Sequence, residues 1–290
     1  MKKIIAIHVC LLLLTVCVHA GWQDIFEKYA HVMTAEEKNL FSQIHADFAA
    51  GKVPTIAAPE ITDIPIVENN EELIDLKTTP LKRIEILPDP EAGKLYSSPT
   101  CNAGHPGASK MRKSVSHCFA SMIYRLDELA PAFGYEPGQI SIKIFEALRP
   151  LKLQEQLFNK KVKQLKEKYP KWTDEDAEKE AAIWISPVKN NVPAHSTGAA
   201  VDFALWNSKE ENKVDMGILG TTWEHNPGPE TFSDAQGVSD QQRSNRLFCL
   251  LAAVRTGLVN YPYEFWHFSR GDRYAAYWKK LDTAEYGAIE

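Results

Sequence analysis

Residues 140–149 alternate Ile140, Ile142 and Ile144 against Ser141 and Lys143, which is the period of a half-buried strand. Residues 199–206 read the same way, with Val201, Phe203 and Leu205 on one face and Asp202 on the other. Longer runs around them carry helical spacing. Ile25, Phe26 and Tyr29, then Leu40, Phe41, Ile44 and Phe48, place helix over 22–50, with Thr34 as an N-cap and Gly51 as a stop. Met111, Val115, Phe119, Met122, Ile123 and Leu126 make 110–130 amphipathic, ending before Pro131. A charged helix follows over 151–168, and a second starts at Thr173, whose side chain caps an acidic first turn. A further helix reads from Ser244 as N-cap to Gly257 as stop, and 258–269 is a third strand region. Residues 54–106 read as loops and short strands punctuated by proline, and 207–243 as mostly loop. Short strands set among longer helices, with no repeat and no low-complexity linker, describe one α+β domain behind an N-terminal extension.

The 290 residues are 44% hydrophobic with a formal net charge of -5, enough apolar material for a core and no basic excess. That balance points to neither nucleic acid nor an anionic membrane as a partner. Residues 1–20 have a basic start at Lys2 and Lys3, an apolar run through Leu14 and a small residue at Ala20. This pattern predicts a secretory signal peptide, cut before Gly21, and an exported protein, periplasmic or secreted, with no integral membrane segment once the signal is gone. Val16 does not suit lipid attachment at Cys17. Of the five cysteines, Cys101, Cys118 and Cys249 survive that cleavage, too few for a disulfide framework. One pair, Cys101 with Cys118, can bridge in an oxidising compartment, leaving Cys249 on an apolar helix face.

Two clusters concentrate the chemistry. In Pro193-Ala194-His195-Ser196-Thr197-Gly198-Ala199-Ala200-Val201-Asp202, a histidine, a small-residue turn and an aspartate on a strand can aim two ligands at one point. Zinc accepts imidazole and carboxylate at about 2.0–2.2 Å. Tyr263-Glu264-Phe265-Trp266-His267-Phe268 adds a third ligand, His267, and a second carboxylate, Glu264, placed to take a proton from water. Glu264 and His267 are three apart, on opposite faces of an ideal strand, so the strand must begin or bulge between them.

The pairing of HSTGAAVD (195–202) with EFWH (264–267) resembles the zinc peptidases that include D-alanyl-D-alanine dipeptidases and D,D-carboxypeptidases. The runs PIVENNEELIDL (65–76), EALRPLKLQEQLF (146–158), VDMG (214–217) and GLVNYPYEFWHFSRGDRY (257–274) are closer to the dipeptidase branch. The resemblance implies a small, mainly antiparallel sheet carrying a zinc site and flanked by helices. Taken with the leader pattern and the helical spacing of the N-terminus, it divides the chain into a signal peptide over 1–20, a helical extension over 21–58 and the dipeptidase domain over 59–290. It also implies one zinc per chain, held by His195, Asp202 and His267, with Glu264 as general base toward the zinc-bound water. Arg149 would stabilise the oxyanion, and Asp215 would receive the ammonium of a small peptide substrate such as D-Ala-D-Ala. The chain departs from the family pattern over Ile218 to Trp223 and at Phe265. A D,D- or L,D-carboxypeptidase acting on peptidoglycan stem peptides, and a non-catalytic zinc-stabilised binding module, stand as alternatives.

Overall fold

A computed structural model describes residues 21–86, 107–217 and 229–289. Its centre is a six-stranded sheet. Strands β2 (Ile84–Ile86), β4 (Ile140–Glu146), β5 (Ala200–Asn207), β8 (Glu264–Ser269) and β7 (Val259–Tyr261) lie in that spatial order, and β6 (Asn212–Lys213) pairs with β5. Only β2 and β4 run parallel; the other pairings are antiparallel. A separate two-stranded ribbon joins β1 (Leu73–Asp75) to β3 (Lys110–Arg112). The α+β class and the mainly antiparallel sheet expected from the sequence are therefore present.

Local sequence explains where the helices start. Helix α1 (Ala35–Ala49) opens with a capping box in which Thr34 and Glu37 satisfy each other's backbone N–H groups. Helix α4 (Asp174–Trp184) does the same with Thr173 and Asp176, after α3 (Leu151–Lys168). Helix α5 (Asp240–Val254) has its N-cap five residues before the expected one. Ser239 and Gln242 form its capping box, while Ser244 is buried inside the helix and donates to the Asp240 carbonyl oxygen at 2.8 Å. A serine with glutamine three residues on offers reciprocal capping, and Ser244, followed three residues later by Leu247, does not.

One face of the sheet carries the main core. Ile142, Ile144, Phe203 and Leu205 join Phe119, Met122 and Leu126 of α2 (Lys113–Leu129) and Leu247, Phe248 and Leu251 of α5 in one hydrophobic cluster. Phe119 meets Phe203 edge to face, with centroids 5.1 Å apart. Strand β4 is buried on both faces apart from Lys143, a correction to the half-buried strand its alternation predicts. Ser141, on the second face, is 5% exposed. Period-two alternation marks which face is apolar but does not reveal what covers the other. The N-terminal extension shares this core. Trp22, Ile25, Phe26, Tyr29 and Phe41 belong to the same cluster, and Tyr29 stacks on Phe133 at 4.1 Å. Among the described residues no helix is long and apolar enough to cross a membrane.

Candidate active site

Sheet register sets the first two side chains. Asp202 on β5 and His267 on β8 are direct antiparallel partners, so they stand side by side without any loop having to place them. His195 comes from the short turn Ala194–Thr197 that precedes β5. Gly198 closes that turn at φ +71°, where an added Cβ would lie 2.8 Å from Leu73 Cδ2. Only glycine tolerates both the left-handed backbone and the close approach.

The three side chains are buried. His195 Nδ1 lies 2.8 Å from the Ala147 carbonyl oxygen, which can only accept, so in the neutral ring the proton sits on Nδ1 and the Nε2 lone pair faces the cluster. From His195 Nε2 it is 3.1 Å to His267 Nδ1 and 3.3 Å to Asp202 Oδ1, and from His267 Nδ1 to that same oxygen it is 2.9 Å. A tetrahedral ion with bonds of about 2.0–2.1 Å holds its ligand atoms about 3.3 Å apart. The triangle is close to one face of such a site, and two imidazole nitrogens with one carboxylate oxygen are a donor set that suits zinc.

Glu264 reaches the same place through the bulge its spacing requires. Asn260 pairs with Phe268, but the next residue, Tyr261, pairs with Glu264, so 265–267 have no counterpart on β7. Asn260 Nδ2 spans the irregularity, donating to the carbonyl oxygens of Glu264 at 3.2 Å and His267 at 2.9 Å. Glu264 Oε2 then lies 3.9 Å from His267 Nδ1, and its buried Oε1 has no hydrogen-bond partner among the described residues. A carboxylate oxygen buried without a donor is costly unless something else satisfies it.

Arg149 stands in the turn between β4 and α3. Its backbone N–H donates to the His195 carbonyl oxygen at 3.0 Å, and Ser196 Oγ donates to the Arg149 carbonyl oxygen at 2.8 Å. The guanidinium is buried, with Nη1 donating to Gln154 Oε1 at 2.9 Å and Nη2 at 3.5 Å from Glu146 Oε2. Gln154 is fixed in turn by donating to the Ser186 carbonyl oxygen at 2.6 Å. Glu146 and Gln154 did not stand out in the sequence; the only signal for them was their place in the run EALRPLKLQ around Arg149.

The electrostatics follow from this crowding. Burial, reinforced by the charge of Asp202, pushes the Glu264 carboxyl well above its ordinary range against the opposing pull of Arg149 and Lys161. Burial would raise Asp202 too, but His195 and His267 outweigh it and hold that carboxyl well below the carboxylate range. Burial lowers His267 below its ordinary value of 6.5, with Asp202 opposing. The site therefore contains one carboxylate that readily gives up its proton and another that strongly retains one, the separation that acid–base work needs.

The cavity over this cluster is lined by Ile56, Arg149, Gln154, Trp184, His195, Glu264 and His267, and measures about 20 Å³. Asp215 is not brought to it. That residue is exposed, accepts from Gly217 N at 3.0 Å in a local turn, and also accepts from Gln242 Nε2 at 3.0 and 3.1 Å. The divergent stretch 218–223 lies outside the described residues, as does Cys101. Cys118 is buried, its thiol donating to the Thr256 carbonyl oxygen at 3.0 Å.

Comparison with known proteins covers half of the chain. Residues 139–283 match the profile of the M15 peptidases, described as D-Ala-D-Ala dipeptidase. The chain is also similar to the D-alanyl-D-alanine dipeptidase of Synechocystis sp., at 34% identity over 100 residues. That match spans 31% of this chain and 40% of the relative's length. A solved structure of VanYB in complex with D-Alanine-D-Alanine aligns with 59% of this chain and 79% of its own, at 17% identity and a TM-score of 0.35, too distant to carry an argument.

Proposed function

The chain belongs to the M15 peptidase family, and on that premise we propose that it is a zinc-dependent dipeptidase hydrolysing D-alanyl-D-alanine or a related D,D-dipeptide in cell-wall peptide metabolism. The observation that carries this reading is the triangle of His195 Nε2, Asp202 Oδ1 and His267 Nδ1 beside the orphaned oxygen of Glu264. Those three atoms would hold the ion, which when bound supplies Lewis acidity to the scissile carbonyl and to water.

The chain's own residues carry the proton traffic. Glu264 takes a proton from water as the water oxygen adds to the carbonyl carbon. Its place beside the three ligand atoms, with Oε1 free of any hydrogen-bond partner among the described residues, puts an acceptor within reach of that water. As the C–N bond breaks, Glu264 returns the proton to the leaving amine nitrogen. Arg149 faces the oxyanion that develops in between, and Gln154 and Glu146 keep its guanidinium from turning away. Such a charge-assisted donor in a dry site is commonly worth several kcal/mol at the transition state. Export follows from the leader-like residues 1–20, and the substrate is a small peptide rather than a nucleic acid or a membrane.

Alanine release from free D-Ala-D-Ala, run beside L-Ala-L-Ala and an N-acetylated D,D peptide with and without a chelator, tests the proposal. Chelator-sensitive cleavage confined to the free D,D-dipeptide is expected. Cleavage of the blocked peptide moves the assignment to a carboxypeptidase, and no cleavage by the metal-loaded protein overturns it.

A further inference from the structure

One wall of the catalytic cavity comes from outside the matched region 139–283. Ile56, in the segment 53–58 of the N-terminal extension, lines it beside Arg149, Trp184 and Glu264. The segment is pinned to the hairpin that carries Glu264 and His267 and to the helix that follows it. Tyr263 Oη donates to the Val53 carbonyl oxygen at 2.9 Å, and Tyr274 Oη donates to the Pro54 carbonyl oxygen at 3.4 Å. The Ile56 backbone N–H reaches the Tyr261 hydroxyl, and Ile56 and Ala58 pack in a cluster with Ile61, Tyr261 and Tyr274.

The neighbours of these residues face a different space. Thr55 and Ile183 line an open cleft of about 470 Å³ with Trp172, Asp176, Lys179 and Glu180, while Ile56 and Trp184 line the catalytic cavity. Two consecutive pairs, Thr55–Ile56 and Ile183–Trp184, thus separate the cavity from the cleft. Tyr261 Oη ties the two walls together by donating to the Ile183 carbonyl oxygen at 2.7 Å. About 20 Å³ has room for a water molecule and not for a dipeptide. A dipeptide therefore needs the cavity to enlarge, and among the described residues this partition is the wall that divides it from the larger cleft.

We propose that Ile56 is a specificity-determining residue, a length stop that admits a free dipeptide and excludes peptides extended at the amino end. The amino end is the relevant one because the cleft beyond carries Asp176 and Glu180 against Lys179, a balance that repels a substrate carboxylate. The inference rests on the dipeptidase reading for its substrate class.

Calorimetry on the metal-loaded full chain, with a non-hydrolysable phosphinate analogue of D-Ala-D-Ala and its N-acetyl form, separates the two claims. The unaltered protein should bind the free analogue and reject the acetylated one. Ile56→Ala should bind the acetylated form at least ~10-fold more tightly than the unaltered protein does, a gain of about 1.4 kcal/mol. Ile56→Phe, which thickens the partition, should weaken the free analogue instead, and melting curves establish that both variants fold. No gain in Ile56→Ala, with the unaltered protein still rejecting the acetylated analogue, overturns the length stop and leaves the dipeptidase reading in place; equal affinity of the unaltered protein for the two analogues overturns the length stop and moves the assignment toward a carboxypeptidase. If neither analogue binds, the dipeptidase reading fails, and the partition is judged by metal exchange. Dipicolinate should then strip the ion several-fold faster from Ile56→Gly, and an unchanged rate overturns the partition as well.

Discussion

The β5–β8 seam and the N-terminal segment 53–58 border the same cavity by different means. The seam places Asp202 and His267 through backbone register, and each buried side chain is held by polar neighbours whose loss would leave a charge or a lone pair unsatisfied. The segment has no strand pairing. It is held by tyrosine hydroxyls on its carbonyl oxygens and by the apolar contacts of Ile56 and Ala58. The first arrangement is all-or-none, because the ligand atoms lie within 3.3 Å of one another and displacing one dismantles the triangle. The second is graded, because neutral hydrogen bonds at the surface of a cluster contribute about 1 kcal/mol each and can be lost singly. Register-built positions therefore suit chemistry, and a pinned segment suits a wall that has to give.

Breaking the seam should have the largest effect. His267→Ala is expected to lose both bound metal and activity; stoichiometric metal with full activity in that variant would remove the site from consideration. Glu264→Gln keeps the shape of the side chain while removing its basicity, so turnover should fall by about 10²–10⁴-fold. Metal should stay near one per chain in that variant, and metal loss would instead make Glu264 a ligand. A third expectation concerns acid. Metal binding requires neutral imidazole, and a lowered folded-state pKa means that the proton competes only below the ordinary value. Because burial lowers His267 below 6.5, metal content measured across a pH series should hold down through that value and fall only further into acid. Half-loss of metal above pH 6.5 would contradict the burial account.

The smallest effect belongs to the segment. Tyr263→Phe removes the hydroxyl that donates to Val53 and leaves the ring, so it should cost about 0.5–1.5 kcal/mol and lower the melting temperature by a few degrees. Metal content should not change. A Tyr263→Phe protein that loses metal would show that the wall and the seam are one structural unit and not two.

Several parts of this molecule are legible in the sequence alone. Thr34 and Thr173 announced their helices because capping is a contact between residues three apart. His195, Asp202, Glu264 and His267 stood out because few constellations of polar residues sit beside a glycine turn and inside an aromatic strand. Even the bulge in β8 was demanded by the three-residue spacing of Glu264 and His267. The start of α5 turned on competition between local options: Ser239 and not Ser244 caps it. Asp215 accepts from Gly217 and Gln242, contacts that its place in VDMG does not announce.

Within the sequence itself lay the strands, most of the helix ends and the residues able to hold a metal, since each depends on spacing along one segment. Tertiary structure decided what depends on distance across the chain. It set Asp202 opposite His267, buried the second face of β4, and brought Ile56 from the N-terminal extension to the wall of the cavity. Those outcomes follow from register, packing and closure among segments remote from one another in the chain, and no local pattern encodes them.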